Sequence, residues 1–358
     1  EQQRCNSHRT VLHEREDRGA FFDSGKCHNS AQFAMDFRLA ALERWLGAQF
    51  PAIPATLAPA SEDASFRRYF RARLADGRSF VVMDAPPDKE DCGPFLHVAG
   101  VFAGAGVHVP RIHAQDPDGG FLLLEDLGDT TYLDFFRDHD PNAPYAAATD
   151  ALIRIQLASR PGVLPEYDRA LLERELRLFP DWYFGRELRR EPGPEEARTL
   201  QGVFEALLAN NLAQPRVFVH RDYHSRNLMA CDPMPGILDF QDAVYGPISY
   251  DLVSLFRDAY VRWEEAQVLD WVVRYWEKAR NARLPVRDDF AEFYRDFEWM
   301  GAQRQIKVVG IFARLCHRDG KERYLADIPR VLGYLLATCR RYRELAPLAQ
   351  LLDTLASK

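Results

Sequence analysis

Val217-Phe218-Val219-His220-Arg221-Asp222-Tyr223-His224-Ser225-Arg226-Asn227-Leu228, followed by Gly236-Ile237-Leu238-Asp239-Phe240, is the stretch on which the reading of this chain turns. A short apolar run enters a polar loop and returns to apolar sequence, and a second short apolar run closes on Asp-Phe, a strand, loop and strand pattern. Loops carried on rigid strands are where reactive side chains are held. Asp222 is placed to orient and deprotonate an alcohol, while the amide of Asn227 and the carboxylate of Asp239 can converge on one hard cation. Magnesium suits so sparse a set, because waters and substrate phosphates complete its shell. A lone His-x-Asp is common, and a turn aspartate capping a helix needs no chemistry. The ordered combination is what points to phosphoryl transfer from ATP with Mg2+.

Downstream of Thr130 helical periodicities dominate, interrupted only by the short apolar runs at 216–219 and 236–238. The charged stretch 185–196, with two prolines, reads as an internal loop. Upstream the pattern is strand-rich: 66–74 and 79–83 flank Asp76-Gly77 as a hairpin, 92–106 fits a helix ending in glycines, and 109–114 and 121–126 fit two more strands. Residues 51–59 read as a proline-spaced link. Before it, 36–46 places Leu39, Leu42 and Leu46 on one helical face. Residues 1–34 are polar and aperiodic and read as a flexible N-terminal extension, with the folded part starting at Met35. The expected organisation is therefore an extension (1–34), a small β-rich lobe with one helix (35–129) and a larger helical lobe (130–358).

A chain of 358 residues with 47% hydrophobic content can form one large or two medium domains. No run approaches a membrane span, and no basic segment leads into an apolar one near the start, so a cytosolic-type protein is expected. A net charge of -7 argues against a nucleic-acid partner. The six cysteines show no CxxC pairing, so free thiols rather than zinc ligands are expected. Oligomeric state has no signature in the sequence.

His-x-Asp-x-x-x-x-Asn, then Ile237-Leu238-Asp239-Phe240, then Gly246-Pro247-Ile248-Ser249-Tyr250-Asp251-Leu252 resembles the aminoglycoside phosphotransferase family over roughly 36–345. That family is a small-molecule branch of the protein-kinase-like fold, and the resemblance implies an α+β, bilobal architecture. It further implies Asp222 as catalytic base, Asn227 and Asp239 as magnesium ligands, His220 as structural, and Asp251 opening a helix that braces the catalytic loop. Phe121-Leu122-Leu123-Leu124-Glu125-Asp126-Leu127 would be the hinge, with the backbone of Glu125 and Leu127 meeting adenine and Leu124 lining its pocket. An ordinary core strand is the alternative. No Ala-Pro-Glu motif follows Asp239, and Gly-Pro and Tyr-Asp-Leu come almost at once, which leaves no room for a protein-substrate segment. A small sugar or alcohol acceptor is expected.

Two departures stand out. The hairpin segment Ser65-Phe66-Arg67-Arg68-Tyr69-Phe70 lacks the glycine that lets bare backbone approach phosphate, so either Arg67 or Arg68 contacts the nucleotide in its place or both simply solubilise an exposed strand. In the next strand Met83 and Asp84 stand where related folds carry a lysine, and Lys89 lies beyond two prolines. These features, with Trp299-Met300-Gly301-Ala302-Gln303-Arg304-Gln305-Ile306-Lys307, most resemble the bacterial cell-wall anomeric sugar kinases within the family. That resemblance implies phosphorylation of the C1 hydroxyl of N-acetylmuramate and N-acetylglucosamine. Arg304 and Lys307, three apart on one helical face, then meet a substrate carboxylate or form a solvated basic stripe, and Asp242 binds sugar hydroxyls or caps a turn. An aminoglycoside or other small-alcohol kinase is the first rival. A non-catalytic nucleotide-binding regulator is the second.

Overall fold

The computed structural model describes residues 24–62 and 66–356. The chain divides into two compact units, Glu1–Ala55 with Leu74–Asp76, and Thr56–Arg73 with Gly77–Lys358. In the first, helix α1 (Ser24–Gln49) buries Leu42 and Leu46 as their spacing foretells. It begins at Ser24 and so takes in part of the stretch expected to be flexible; residues 1–23 lie outside the described residues.

The larger unit begins with strands. β1 (Ala55–Glu62), β2 (Arg68–Leu74) and β3 (Ser79–Asp84) are followed by helix α2 (Gly93–Gly104), then β4 (Ile112–Asp116) and β5 (Phe121–Glu125). The sheet order is β1-β2-β3-β5-β4. Strand β1 replaces the expected link: its proline, Pro59, is tolerated because β1 is an edge, where one side of the backbone has no ladder partner to lose. The expected hairpin is present, and Gly77 makes its turn at φ 90°, a conformation costly for any side chain.

Both faces of this sheet are apolar. Met83, Leu122 and Leu124 join one continuous core with Phe95 and Phe102 of α2 and with Phe240, whose ring lies 4.8 Å from that of Phe95. Val82 and Leu123, one residue along, point the other way and are equally buried, as strand alternation requires.

Beyond the sheet come α3 (Tyr132–Phe135), α4 (Asn142–Leu157), α5 (Arg169–Leu178), a π-helical segment (Phe179–Glu187) and α6 (Pro194–Leu212). The expected loop thus shrinks to 188–193, because α5 runs on into the π-helical turns and Pro194 opens α6 at a position where its missing N–H costs nothing. Two hairpin-like pairs follow, β6 (Arg216–Val219) with β9 (Val244–Pro247) and β7 (Leu228–Met229) with β8 (Gly236–Ile237). Helices α7 (Tyr250–Phe256), α8 (Glu265–Asn281), α9 (Phe290–His317), α10 (Ile328–Arg341) and α11 (Ala346–Ala356) complete the chain. Among the described residues no helix is long and apolar enough to cross a membrane.

Helix α9 packs against α5, α6, α7, α10 and the π-helical segment. Its closest approach is at Gly310, where a Cβ would sit 2.4 Å from the backbone carbonyl carbon of Leu178. Backbone cannot yield as a side chain can. Gly310→Val is therefore expected to lower unfolding free energy by about 3 kcal/mol in urea titrations, whereas the same change at the open, exposed Gly333 should be close to neutral.

Candidate active site

The polar loop after β6 is held by one buried carboxylate. Asp251, in the first turn of α7, accepts the backbone N–H of His220 at 2.6 Å and of Arg221 at 3.0 Å. Arg221 can present that N–H because it takes φ 78°, a left-handed conformation that costs a branched-out side chain on the order of 1 kcal/mol. His220 adds a second tie. Its Nε2 lies 3.0 Å from the Leu238 carbonyl and its Nδ1 accepts the Asp222 N–H at 3.2 Å, so the ring is neutral with its proton on Nε2. One imidazole thus links the Asp222 loop to the residue before Asp239.

Asp222, Asn227 and Asp239 come together. The Asn227 amide nitrogen donates to the Asp222 carbonyl at 3.0 Å and to Asp239 Oδ2 at 3.2 Å, which sets the Asn227 amide against the Asp239 carboxylate. Asp239 takes φ 62°, again left-handed, and its Oδ1 accepts from Gln241 Nε2 at 2.7 Å. An amide and a carboxylate are hard oxygen donors of the kind Mg2+ prefers, with waters and phosphates to complete its shell, so these residues fit that ion. The Asp222 carboxylate itself has no hydrogen-bond partner among the described residues.

The charge around Asp222 is mostly positive. Burial works to raise its pKa, but Lys307, His224, Arg304 and Arg221 outweigh that and bring it down to about 2. Asp222 is therefore ionised at any working pH. Two of those cations share a counter-ion: Glu175 of α5 lies 3.0 Å from Lys307 Nζ and 2.7 Å from Arg221, and also accepts from the Tyr167 hydroxyl. Burial disfavours the charge of both Lys307 and Glu175, yet their mutual attraction prevails, raising the first and lowering the second. Lys307 further donates to the Tyr250 hydroxyl at 2.9 Å. Arg304 and Lys307 are only 5% and 6% exposed, so the solvated-stripe alternative fails.

The remaining candidates scatter. Asp242 is exposed, and its carbonyl rather than its carboxylate meets Arg221, at 3.3 Å. Arg68 pairs with Asp84 across β2 and β3, on the sheet face that Val82 shares and away from the core containing Met83 and Phe240. Arg67 immediately precedes β2. Leu124 is buried on the core face, Glu125 donates its N–H to Arg111 at 2.8 Å, and Leu127 is buried with no backbone partner for its N–H among the described residues. The loop after β5 is clamped from β2, where Arg71 bonds Asp126, Asp129 and the Gly128 carbonyl. Lys89 is occupied over the Phe66 ring, 4.8 Å from its centroid. Trp299 and Tyr250 are buried in packing.

Glu175, the balancing carboxylate, escaped the sequence reading. Its signal was present: it sits between Leu172 and Leu176 on the apolar face of an amphipathic helix, where an unpaired glutamate is not tolerated. Nothing local revealed that its charged partners, Arg221 and Lys307, lie more than forty residues away.

The neutrality of His220 has a measurable consequence. Burial takes its pKa down to about 4, so between 6.5 and 4 the unfolded chain binds a proton that the folded chain refuses, and stability falls as pH drops through that window. Burial pushes Asp251 up to about 7, which acts in the opposite direction, adding stability as pH falls from there towards 3.8. Comparing proteins isolates the histidine: the wild type should lose roughly 2 kcal/mol more than His220→Asn between pH 7.5 and 5 in denaturant titrations. Parallel pH profiles would refute the neutral-latch assignment.

Comparison with known proteins agrees with this geometry. Residues 56–293 match the model of the phosphotransferase enzyme family, APH. An N-acetylmuramate/N-acetylglucosamine kinase of Pseudomonas aeruginosa is 52% identical over 330 residues, covering 89% of this chain and 97% of the relative. One from Neisseria meningitidis is 53% identical over 315 residues, covering 87% and 94%. A choline/ethanolamine kinase family protein from Mesorhizobium loti superposes with a TM-score of 0.60 at 15% identity, covering 87% of this chain and 99% of that one. The ADP-bound aminoglycoside phosphotransferase APH(2'')-Ib does so with 0.54 at 12% identity, covering 82% and 97%. The fold is the bilobal, protein-kinase-like α+β architecture, and the chain belongs to the APH phosphotransferase enzyme family of kinases.

Proposed function

We propose that this protein transfers the γ-phosphate of ATP to the anomeric hydroxyl of N-acetylmuramate and N-acetylglucosamine, as a step in cell-wall sugar recycling. The observation that carries the reading is the ionised, unpartnered carboxylate of Asp222 beside the Asn227–Asp239 pair. The sugars are those for which the relatives above 50% identity are named.

In this reading Asp222 takes the proton of the C1 hydroxyl, and because an anomeric alcohol is more acidic than an ordinary one, even a weakly basic carboxylate can serve. Asn227 and Asp239 hold Mg2+, which supplies charge neutralisation at the transferred group. His220 and Asp251 act through position: they fix the loop so that Asp222 meets the acceptor in one geometry. Adenine contacts the backbone at Glu125 and Leu127 beneath Leu124. Arg68, paired with Asp84 on the sheet face away from the core of Met83 and Phe240, is not placed for nucleotide contact.

An aminoglycoside acceptor is disfavoured by electrostatics. Such a molecule is a polycation, and the base is ringed by Lys307, Arg304 and Arg221. At an effective dielectric near 20, like charges a few ångströms apart repel by about 4 kcal/mol.

Asp222→Asn should lower kcat for both sugars by about a thousandfold while nucleotide binding persists, with the wild-type product identified as a C1-phosphate by phosphorus NMR. Turnover of kanamycin alone would overturn the substrate assignment. Full activity in Asp222→Asn would overturn the base, and wild-type ATP binding with no turnover of any acceptor would favour a regulator.

A further inference from the structure

We infer that Arg304 is the receptor for the carboxylate of an acidic acceptor sugar, and so sets the preference between N-acetylmuramate and N-acetylglucosamine. The inference rests on the sugar-kinase reading and adds a residue-level account of specificity to it.

The sequence offers Arg304 and Lys307 as an equivalent pair, three residues apart on α9. The fold separates their tasks. Lys307 is committed, with Glu175 at 3.0 Å and the Tyr250 hydroxyl at 2.9 Å. Arg304 is 5% exposed, yet it makes no hydrogen bond or ion pair with any described residue, and its Nε is a fully buried donor without a partner. A guanidinium withdrawn from water with its donors unused is costly, by several kcal/mol in the general case. That cost is removed when an anion arrives, and a planar fork of donors suits a carboxylate better than an ammonium does.

Its position identifies which anion. Arg304 stands on the same helix as Lys307, and its charge acts on Asp222, His224 and Asp251 of the catalytic loop and its brace. No ion pair joins Arg304 to Asp222, so an acceptor hydroxyl can sit at the base while another part of the same ring reaches the guanidinium. The transferred phosphate belongs at the Asn227–Asp239 pair instead. N-acetylmuramate differs from N-acetylglucosamine by a lactyl ether bearing a carboxylate, the one anionic group on either sugar. With the neutral sugar, water takes the guanidinium's donors, so one site accepts both substrates and ranks them by this single contact.

The test is the ratio of kcat/KM for N-acetylmuramate over N-acetylglucosamine. It should fall about 30-fold in Arg304→Gln, the scale of a lost charged hydrogen-bonded contact, and partly recover in Arg304→Lys, which keeps charge without the fork. The methyl ester of N-acetylmuramate removes the charge from the ligand instead and needs no variant; wild type should lose a similar factor with it. An unchanged ratio overturns the inference, including the case where both sugars lose equally and KM for ATP rises, which assigns Arg304 to phosphate. An ester turned over as well as the acid overturns it too. Wild type inactive on both sugars is a different failure, sinking the sugar-kinase reading and this inference with it.

Discussion

A single buried carboxylate, Asp251, orders the rest of the site. By receiving two consecutive backbone N–H groups it holds His220 and Arg221 in a turn that the chain would not otherwise adopt, with Arg221 in the left-handed region. Everything chemical follows from that turn. It positions Asp222, brings its carbonyl to Asn227, and sets His220 to bridge towards Asp239. Burial raises the pKa of Asp251, while the two N–H donors favour its charged form, so the brace opposes a desolvation cost with directed hydrogen bonds.

A second buried carboxylate, Glu175, solves a different problem. The base needs cations around it to stay ionised in a buried place, but cations that crowd one another destabilise the fold. Glu175 sits between Lys307 and Arg221 and satisfies both. Arg304 has no such partner among the described residues, and that asymmetry between two neighbouring basic residues of α9 is the most informative electrostatic feature of the site. The same helix is tied to α5 by the close approach at Gly310, so the charged trio and its scaffold are packed as one body.

The N-terminal sheet shows how a two-faced apolar strand misleads a local reading. Arg67 and Arg68 look interchangeable in sequence, yet alternation sends Arg68 to the face carrying Asp84 and Val82, while Met83 faces the core that includes Phe240. Pro59 suggested a link because proline usually breaks a ladder, and only the strand order reveals that β1 is an edge where it does not. The stretch 185–196 looked like a loop because charge and proline are punctuation in sequence, although a helix may end in one turn and begin in the next with few residues between.

By itself the sequence determined the chemistry-bearing set and the fold class: Asp222, Asn227 and Asp239 are recognisable because their spacing within one loop and the next strand end is local, and short-range geometry is written in short-range order. The hairpin at Asp76-Gly77 and the core positions Leu42 and Leu46 were legible for the same reason. Tertiary structure alone decided that Glu175 from α5 meets Lys307 from α9, that Arg68 faces away from the catalytic loop, and that Arg304 is left without a partner among the described residues. Those outcomes depend on which faces of distant elements pack together, and a buried charge acquires its partner, or lacks one, only when the chain has closed around it.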